Sequence, residues 1–195
     1  MKPITAIILI FTISLQIQAA PIPGTYDEAL VIAYDNKTDK ISGYYENFSG
    51  WNERSGMPRF MCTFYLQGKP EADRPINIKT WYPGNPDPEA VISGTLKISA
   101  DNKNLIIKLN KEHGGCWNVQ HFTDSPVSFS LAKKKNWIGI RVARSKKTYF
   151  YRQPDAQTRR RAYVINGDVL KVIKNNTDWL YIEYLNINSG KTTQG

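Results

Sequence analysis

Short runs rich in β-branched, aromatic and other apolar residues, each bounded by turn residues, recur through this sequence, and the apolar spacing of a helix is almost absent. Such runs are typical of β-strands, and where apolar and polar residues alternate, as at 76–82, the strand buries one face. Eight such runs precede residue 133: 29–34, 41–45, 59–66, 76–82, 91–99, 105–109, 117–122 and 127–131. Their number and spacing predict an all-β chain whose N-terminal part is a β-sandwich or a small barrel.

The first 19 residues have the pattern of a secretory signal peptide. Lys2 supplies a positive start, residues 4–17 are mostly apolar, and Ala19 and Ala20 are small residues before Pro21. That order of charged, apolar and small residues is the mark of a cleaved leader. The apolar stretch is short against the roughly 20 residues that a bilayer-spanning helix needs. We therefore expect residues 1–19 to be removed and the protein to be exported, to the periplasm, without a transmembrane segment.

The two cysteines, Cys62 and Cys116, enclose 53 residues. In an oxidising compartment two lone thiols usually pair, so a Cys62–Cys116 disulfide is expected. The alternative is that Cys116 is a catalytic nucleophile served by His113 or His121, the only histidines of the sequence. A zinc site built from the same three residues lacks an evident fourth ligand. No other motif points to a catalytic centre, a metal or a cofactor.

Charge is distributed unevenly along the chain. Residues 20–132 contain 11 basic and 13 acidic residues, a net charge of −2, whereas residues 133–195 contain 14 basic and 4 acidic residues, a net charge of +10. The run Lys133–Asn136 is polar and marks the change. Such an asymmetry predicts two modules with different surfaces, a β-rich domain at 20–132 and a basic domain at 133–195.

The C-terminal part contains an ordered set of strand and turn residues. A strand at 141–151 comes first, Gly167-Asp168 precedes an alternating run at 169–174, and Trp179 opens the run 179–184 after a polar turn. In this order, residues 140–195 resemble the bacterial SH3-like (SH3b-type) domain of exported proteins. The resemblance implies an SH3-like barrel and a binding module for cell-wall peptides or glycans.

The C-terminal part departs from that pattern at its end. SH3-like domains of this kind close with a Gly-Trp-apolar strand after a Gly/Lys/Thr loop, and the sequence stops at Gly190–Gly195. Two alternatives follow: the last strand is lost, or the sequence is part of a longer protein. Either leaves a sheet edge without its expected neighbour.

The basic module also offers a set of candidate binding residues. Arginine pairs with carboxylates through two parallel hydrogen bonds and stacks on aromatic rings. A run of three arginines near tyrosines would therefore grip an acidic partner, and the strand-opening tryptophan joins the set: Tyr151, Arg159, Arg160, Arg161, Tyr163, Trp179 and Tyr181. The alternative is a solvated basic loop that only aids solubility.

The candidate partners follow from charge and export. A net charge of +9 favours an anionic component of the cell envelope or an acidic protein. Export argues against nucleic acid, and the sequence shows no amphipathic helix for binding a membrane surface. In the N-terminal domain, six aromatic residues are either a stacking surface for a sugar or peptide, or ordinary residues of the β-core and strand ends: Tyr44, Tyr45, Phe48, Trp51, Trp81 and Tyr82.

These observations leave three hypotheses of different classes. The first is a non-catalytic envelope-binding protein that attaches to peptidoglycan or inhibits an envelope enzyme as an immunity-type protein. The second is a cell-wall or peptide hydrolase that uses Cys116 with His113 or His121 and needs a free thiolate at Cys116. The third is an assembly component whose C-terminal barrel accepts a strand from a partner.

Overall fold

The computed structural model describes residues 20–27, 29–70, 75–83, 87–186 and 189–195. The expected signal peptide at 1–19 lies outside these ranges. The described part contains fourteen strands and three one-turn 3₁₀ helices, so the all-β prediction is confirmed. Within it, no helix has the length and apolar character needed to cross a membrane.

The N-terminal strands form one closed antiparallel barrel, in which each strand pairs with the next along the chain and the last pairs with the first. Of the two predicted alternatives, the barrel is therefore the correct one. Closure comes from the pairing of Tyr26 in β1 with Leu131 in β8. The eight strands are β1 (Gly24–Tyr26), β2 (Leu30–Asp35), β3 (Lys40–Asn52), β4 (Met57–Gly68), β5 (Ile76–Trp81), β6 (Ile92–Ile98), β7 (Asn104–Leu109) and β8 (Val127–Lys134).

The C-terminal strands form a four-stranded sheet and a two-stranded hairpin. The strands are β9 (Gly139–Val142), β10 (Thr148–Tyr151), β11 (Arg159–Val164), β12 (Val169–Asn175), β13 (Leu180–Asn186) and β14 (Lys191–Gln194). The sheet has the order β14-β13-β12-β9, and β10 pairs with β11. Backbone pairing does not close these six strands into one ring, and the SH3-like resemblance stays a prediction. A strand at Lys191–Gln194 was not expected from the sequence.

Aromatic side chains fill the barrel interior. Phe122 meets both Tyr45 and Phe64 edge to face, with ring centroids 5.1 and 5.2 Å apart. Tyr45 and Phe64 stack on each other at 5.1 Å. An eight-stranded barrel is just wide enough for side chains to fill its interior. Each buried large apolar side chain contributes about 1.5–3 kcal/mol relative to exposure, so this packing is the main source of barrel stability.

The predicted strand at 117–122 is wrong. Gly115 adopts a left-handed conformation at φ 84°, and Cys116–Asn118 then forms a 3₁₀ turn. One carboxylate oxygen of Glu112 accepts the backbone N–H groups of Phe122 at 2.7 Å and Thr123 at 2.9 Å. These N–H groups therefore have hydrogen-bond partners without a neighbouring strand. The expected continuous strand at 141–151 is also interrupted, since residues 143–147 lie between β9 and β10.

The expected disulfide joins Cys62 of β4 to Cys116 of the 3₁₀ turn, with Cα atoms 4.3 Å apart. Both cysteines are fully buried, and no free cysteine remains in the described part of the chain. The bond fixes the 110–126 segment against the middle of β4. The disulfide is compatible with the expected export.

A third apolar cluster joins the barrel to the C-terminal sheet. Trp137 and Ile140 pack on the outer barrel residues Ala33 and Tyr65. Two hydrogen bonds fix the approach: the Tyr34 N–H donates to the Trp137 carbonyl at 3.1 Å, and the Ile140 N–H donates to the Ser42 hydroxyl at 2.9 Å. The start of β9 is therefore seated on the outer wall of β2–β4.

Charged groups surround this junction. The Lys135 ammonium donates to Glu183 at 2.8 and 3.0 Å, and Lys135 follows directly on Lys133 and Lys134, which end β8. Burial lowers the pKa of the Lys171 ammonium, an effect that Glu183 and Glu46 partly offset. Burial alone would raise the pKa of Glu183, but hydrogen bonds from Lys135 and Gln194 lower it overall. Within the polar run predicted as a domain boundary, Lys135 is therefore held in an ion pair, whereas Lys133, Lys134 and Asn136 are exposed.

Removing the disulfide is expected to destabilise the barrel strongly. Cys62→Ala with Cys116→Ala frees a loop whose ends lie 54 residues apart, which in the chain-entropy model costs about 4 kcal/mol of unfolding free energy. Denaturant unfolding measures the loss, and reductant should destabilise the wild-type protein but not the double variant. Thiols that titrate in the unfolded, unreduced wild-type protein would contradict the bond.

Gly115 and its neighbour Gly114 form a matched pair for testing the turn. A Cβ at Gly115 would lie 2.2 Å from the Met61 carbonyl oxygen on a left-handed backbone, whereas a Cβ at Gly114 meets nothing within 4 Å. We expect Gly115→Ala to lower the unfolding free energy by about 2–4 kcal/mol. Gly114→Ala should change it by less than about 0.5 kcal/mol. Equal effects in denaturant unfolding would show that this conformation is not required.

Candidate functional site

A groove of about 760 Å³ lies between the β10–β11 hairpin and the four-stranded sheet, and it contains three of the seven predicted binding residues. Tyr151 comes from β10, Trp179 from the turn before β13, and Tyr181 from β13. The Tyr151 and Trp179 rings meet edge to face, with centroids 5.0 Å apart. The base of the groove is apolar, because four of its lining residues belong to the buried C-terminal core: Phe150, Val164, Leu170 and Ile182.

Local hydrogen bonds hold the aromatic side chains in place. The Asn176 side-chain oxygen accepts the backbone N–H of Trp179 at 2.9 Å, and the backbone N–H of Asn176 donates to the Trp179 carbonyl at 3.1 Å. These two bonds close the turn that presents Trp179. The Tyr181 hydroxyl donates to the Gln194 side chain at 3.3 Å, so the unexpected strand β14 supports the groove. A site held by rigid neighbours loses less entropy when a ligand binds.

The groove is slightly basic. Arg152 and Lys174 line it with a single acidic side chain, Asp178, among the lining residues that the structure describes. All three side chains are exposed. Aromatic walls, an apolar base and two cations at the rim suit an extended ligand with apolar groups and a carboxylate. The lining contains no cysteine or histidine that could act as a nucleophile or a base at neutral pH.

The three predicted arginines do not form one clamp. Successive side chains of a strand point to opposite faces, so Arg160 lies on the other face of β11 from Arg159 and Arg161. Arg160 donates to the Gln194 carbonyl at 2.8 Å and ties β11 to β14. Arg161 is exposed. The alternation was visible in the sequence, and applying it to this run would have separated the three side chains.

Arg159 and Tyr163 do not line the groove and belong to a cluster around Tyr149, which does line it. The Arg159 guanidinium lies 4.7 Å from the Tyr149 ring centroid. The Lys147 ammonium lies 3.9 Å from the Tyr163 centroid and 5.1 Å from that of Tyr149. Cation–aromatic contacts at exposed sites contribute about 0.5–1 kcal/mol each. The charges of Lys147 and Arg159 thus stabilise the β10–β11 hairpin through contacts within the chain.

The hydrolase hypothesis loses its nucleophile in this structure. It requires a thiolate at Cys116, and Cys116 is bonded to Cys62. His121 lies beside the exposed Trp117, with ring centroids 4.7 Å apart, and its Nδ1 is 3.4 Å from an Asp124 carboxylate oxygen. His113, Cys116 and His121 are close in sequence because they belong to the segment that the disulfide holds, and this proximity does not form a catalytic pair with a free thiol.

His113 is a core residue. Its ring stacks on Phe64 at 5.1 Å, and its Nε2 lies 2.7 Å from the Thr80 hydroxyl oxygen. Because the Thr80 hydroxyl donates its hydrogen to the Ile92 carbonyl at 2.9 Å, the Nε2–H of His113 donates to Thr80. Burial disfavours the charged ring and lowers the pKa of His113 to about 4, although Glu112 nearby opposes the shift.

The six aromatic residues considered as a stacking surface in the N-terminal domain divide into packed and exposed ones. Trp81 packs in the junction cluster, and Tyr82 is 43% exposed. Tyr45 is in the barrel core, and Tyr44 packs in the junction, where its hydroxyl donates to Glu46 at 2.7 Å. Phe48 and Trp51 are exposed, Trp51 at 64% of its surface. The core interpretation therefore holds for Tyr44 and Tyr45 and fails for Phe48 and Trp51.

The buried neutral state of His113 predicts a pH-dependent stability. The unfolded chain takes up the proton near pH 6.5 and the folded chain near pH 4, so the unfolding free energy falls as pH drops through that window and levels off below it. The difference amounts to about 3 kcal/mol. Denaturant unfolding at pH 7, 5.5 and 4 should show this loss in wild type and in His121→Gln, but not in His113→Gln. Parallel profiles for all three proteins would contradict it.

No protein-family model, curated protein or solved structure matches this chain. The functional assignment therefore rests on the groove itself. The SH3-like resemblance of residues 140–195 contributes an expectation about the ligand class and nothing more.

Proposed function

We propose that this chain is a non-catalytic binding protein of the cell envelope whose C-terminal groove holds the acidic peptides of peptidoglycan. The observation that carries the proposal is the groove between β10 and β13, in which Tyr151, Trp179 and Tyr181 converge over an apolar base. The three residues come from two separate segments of the sequence, since Trp179 and Tyr181 lie two positions apart. Convergent aromatic side chains around a concave apolar surface are typical of binding sites for small ligands and peptides.

The charge of the module supports an anionic ligand. Residues 133–195 carry a net charge of +10, and Arg152 and Lys174 lie at the groove itself. Complementary charge accelerates encounter and orients the ligand more than it adds affinity. Wall peptides bear free carboxylates along an extended backbone, which fits two rim cations above an apolar base.

The proposed export supports the same ligand. A signal peptide would deliver the chain to the compartment that contains peptidoglycan, and the SH3-like resemblance implies wall peptides or glycans. The Cys62–Cys116 bond leaves the wall-hydrolase hypothesis without its thiolate. An acidic protein partner shares the charge argument, but it would not need a concave aromatic groove.

The proposal predicts that Trp179 carries much of the binding energy. We expect the chain from residue 20 to co-sediment with purified peptidoglycan, and Trp179→Ala to weaken the affinity by about tenfold or more. Tyr82→Ala is the matched control, because Tyr82 is 43% exposed and is not among the groove residues. Binding should also decrease as salt rises.

Two results would overturn the proposal. One is the absence of binding to purified peptidoglycan at low salt. The other is binding that Trp179→Ala and Tyr82→Ala reduce equally, which would indicate nonspecific adsorption of a basic protein. Capture of an acidic envelope protein through the groove, without binding to peptidoglycan, would support the inhibitor hypothesis instead.

A further inference from the structure

The β10–β11 hairpin turns one side of β11 away from the C-terminal core. Along β11, the side chains at positions 160, 162 and 164 are partly or fully buried. Because successive side chains of a strand alternate between its faces, Arg159, Arg161 and Tyr163 point outward, and all three are exposed. Ile165 follows directly after the strand and is 50% exposed.

The loop that enters the hairpin lies beside the turn that leaves it. The Ala143 N–H donates to the Asp168 carbonyl at 3.0 Å, and the Gly167 N–H donates to the Ala143 carbonyl at 2.9 Å. At the other end of the loop, the Lys147 ammonium lies 3.9 Å from the Tyr163 ring centroid. The loop 144–147 and the outward side of β11 are therefore one surface, called here the hairpin face. It carries five exposed cations: Arg144, Lys146, Lys147, Arg159 and Arg161.

No described carboxylate forms an ion pair with these five cations, because the ion pairs of the described residues lie elsewhere. The carboxylate of Asp168, beside the turn, accepts the Ile165 N–H at 2.7 Å and the Tyr184 hydroxyl at 3.0 Å. Asp155, at the far end of the hairpin, accepts the Gln157 N–H at 2.9 Å. A concentration of positive charge without paired carboxylates is complementary to an anionic surface.

Contacts within the chain position two of the cations. The Arg159 guanidinium and the Lys147 ammonium lie 4.7 and 5.1 Å from the Tyr149 ring centroid. Tyr149 in turn meets Tyr163 edge to face, with ring centroids 6.0 Å apart. Because these cations already lie over the two rings, a nucleic-acid base would have to displace them in order to stack there. The arrangement therefore presents positive charge and does not offer a stacking platform for bases.

An apolar tip adjoins the cations. Ile165 belongs to no apolar cluster of the described chain, and Tyr163 beside it is 46% exposed. A hydrated polyanion gives an isoleucine side chain no apolar contact. The interface of a bilayer accepts both an apolar side chain and the amphipathic ring of a tyrosine. The combination of cations with this tip favours an anionic bilayer over a soluble polyanion.

The backbone of the tip is also compatible with a bilayer. Three of the four N–H groups at 165–168 have partners within the chain: those of Ile165 and Gly167 are bonded as described above, and that of Asp168 donates to the Ile165 carbonyl at 3.1 Å. Unpaired backbone groups are costly close to hydrocarbon. The Ile165 side chain can therefore reach the acyl boundary while the long basic side chains stay at the level of the headgroups.

We propose that the hairpin face binds the surface of an anionic phospholipid bilayer, with its five cations at the headgroup phosphates and Ile165 inserted between them. Each basic residue near an anionic leaflet adds to the attraction, and an apolar contact supplies the second signal that stable peripheral binding needs. A strand face carries the charges here, so no amphipathic helix is required. The proposal is independent of the proposed function, because neither the five cations nor Tyr163 and Ile165 line the groove.

Co-sedimentation of the chain from residue 20 with lipid vesicles tests the proposal. We expect binding to vesicles of equal parts phosphatidylglycerol and phosphatidylcholine, no binding to pure phosphatidylcholine, and weaker binding as salt rises. Lys146→Gln with Arg161→Gln should weaken the affinity by about twentyfold, since each basic residue contributes about fivefold. Lys97→Gln with Lys108→Gln is the matched control, because it removes the same charge from exposed barrel positions. It should change the affinity by less than about twofold.

Ile165→Ser tests the apolar part of the face. It should weaken vesicle binding by about fivefold, because the inserted side chain loses its apolar contact. Leu185→Ser is its control, since Leu185 lies in β13 with a similar exposure of 43%, and it should leave the affinity unchanged. Trp179→Ala should also leave vesicle binding unchanged, which separates this face from the groove.

The wild-type protein decides the proposal even if a variant folds poorly: no binding to the phosphatidylglycerol vesicles at low salt would overturn it. Equal weakening by the two charge variants would also overturn it, because net charge alone would then explain the binding. Unchanged affinity in Ile165→Ser would exclude the inserted tip and with it the bilayer. Binding of single-stranded DNA through this face, without binding to vesicles, would assign the face to nucleic acid instead. Thermal unfolding of each variant checks that its fold is retained.

Discussion

Ring closure is the constraint on which the rest of this structure depends. A strand as short as Gly24–Tyr26 is stable only because it pairs with β2 on one side and β8 on the other. A closed antiparallel ring has no free edges along its paired length and directs alternate side chains to one interior. That interior is filled by the rings of Tyr45, Phe64 and Phe122 and by the chain segment that the disulfide holds at the mouth.

The outer wall of the ring then becomes the support for the C-terminal sheet. Ala33, Tyr65 and the Ser42 hydroxyl lie on the outside of β2–β4, where they receive Trp137 and Ile140. β9 is fixed there, and β12 pairs with β9 while β13 pairs with β12. The position of β9 therefore sets the positions of the strands that form one side of the groove. The candidate binding site thus depends on the barrel although no barrel residue lines it.

Short runs of strand-forming residues between turn residues predicted most strands. The prediction failed where other forces fix the backbone. Residues 117–122 have strand-like composition, but Gly115, the disulfide and the Glu112 carboxylate replace the ladder. Strand β14 has the sequence KTTQ, with no apolar position for a pattern to detect. Sheet edges exposed to water are the elements that such reasoning misses.

The candidate site was predicted only in part for a related reason. Tyr151, Trp179 and Tyr181 were identified by residue type, but their convergence depends on how the hairpin folds over the sheet, which local pattern does not contain. The three arginines at 159–161 follow one another along β11. Because successive side chains of a strand point to opposite faces, they are divided between its two faces. In the barrel, Phe48, Trp51 and Phe60 have the composition of core positions, and only the unequal length of the strands places them in water.

The junction between the barrel and the C-terminal sheet has a consequence for the order of folding. The pair Tyr26–Leu131, which closes the barrel, joins residues at opposite ends of the barrel sequence. In contrast, β12, β13 and β14 pair with their neighbours along the chain and are joined by short turns. Contacts between distant residues form more slowly than local ones. The β12–β14 meander can therefore assemble before the wall on which it rests, leaving Val169 and Ile173, which pack at the junction, exposed to water. That interval, rather than the finished structure, is when a newly made chain is most open to proteases and to aggregation.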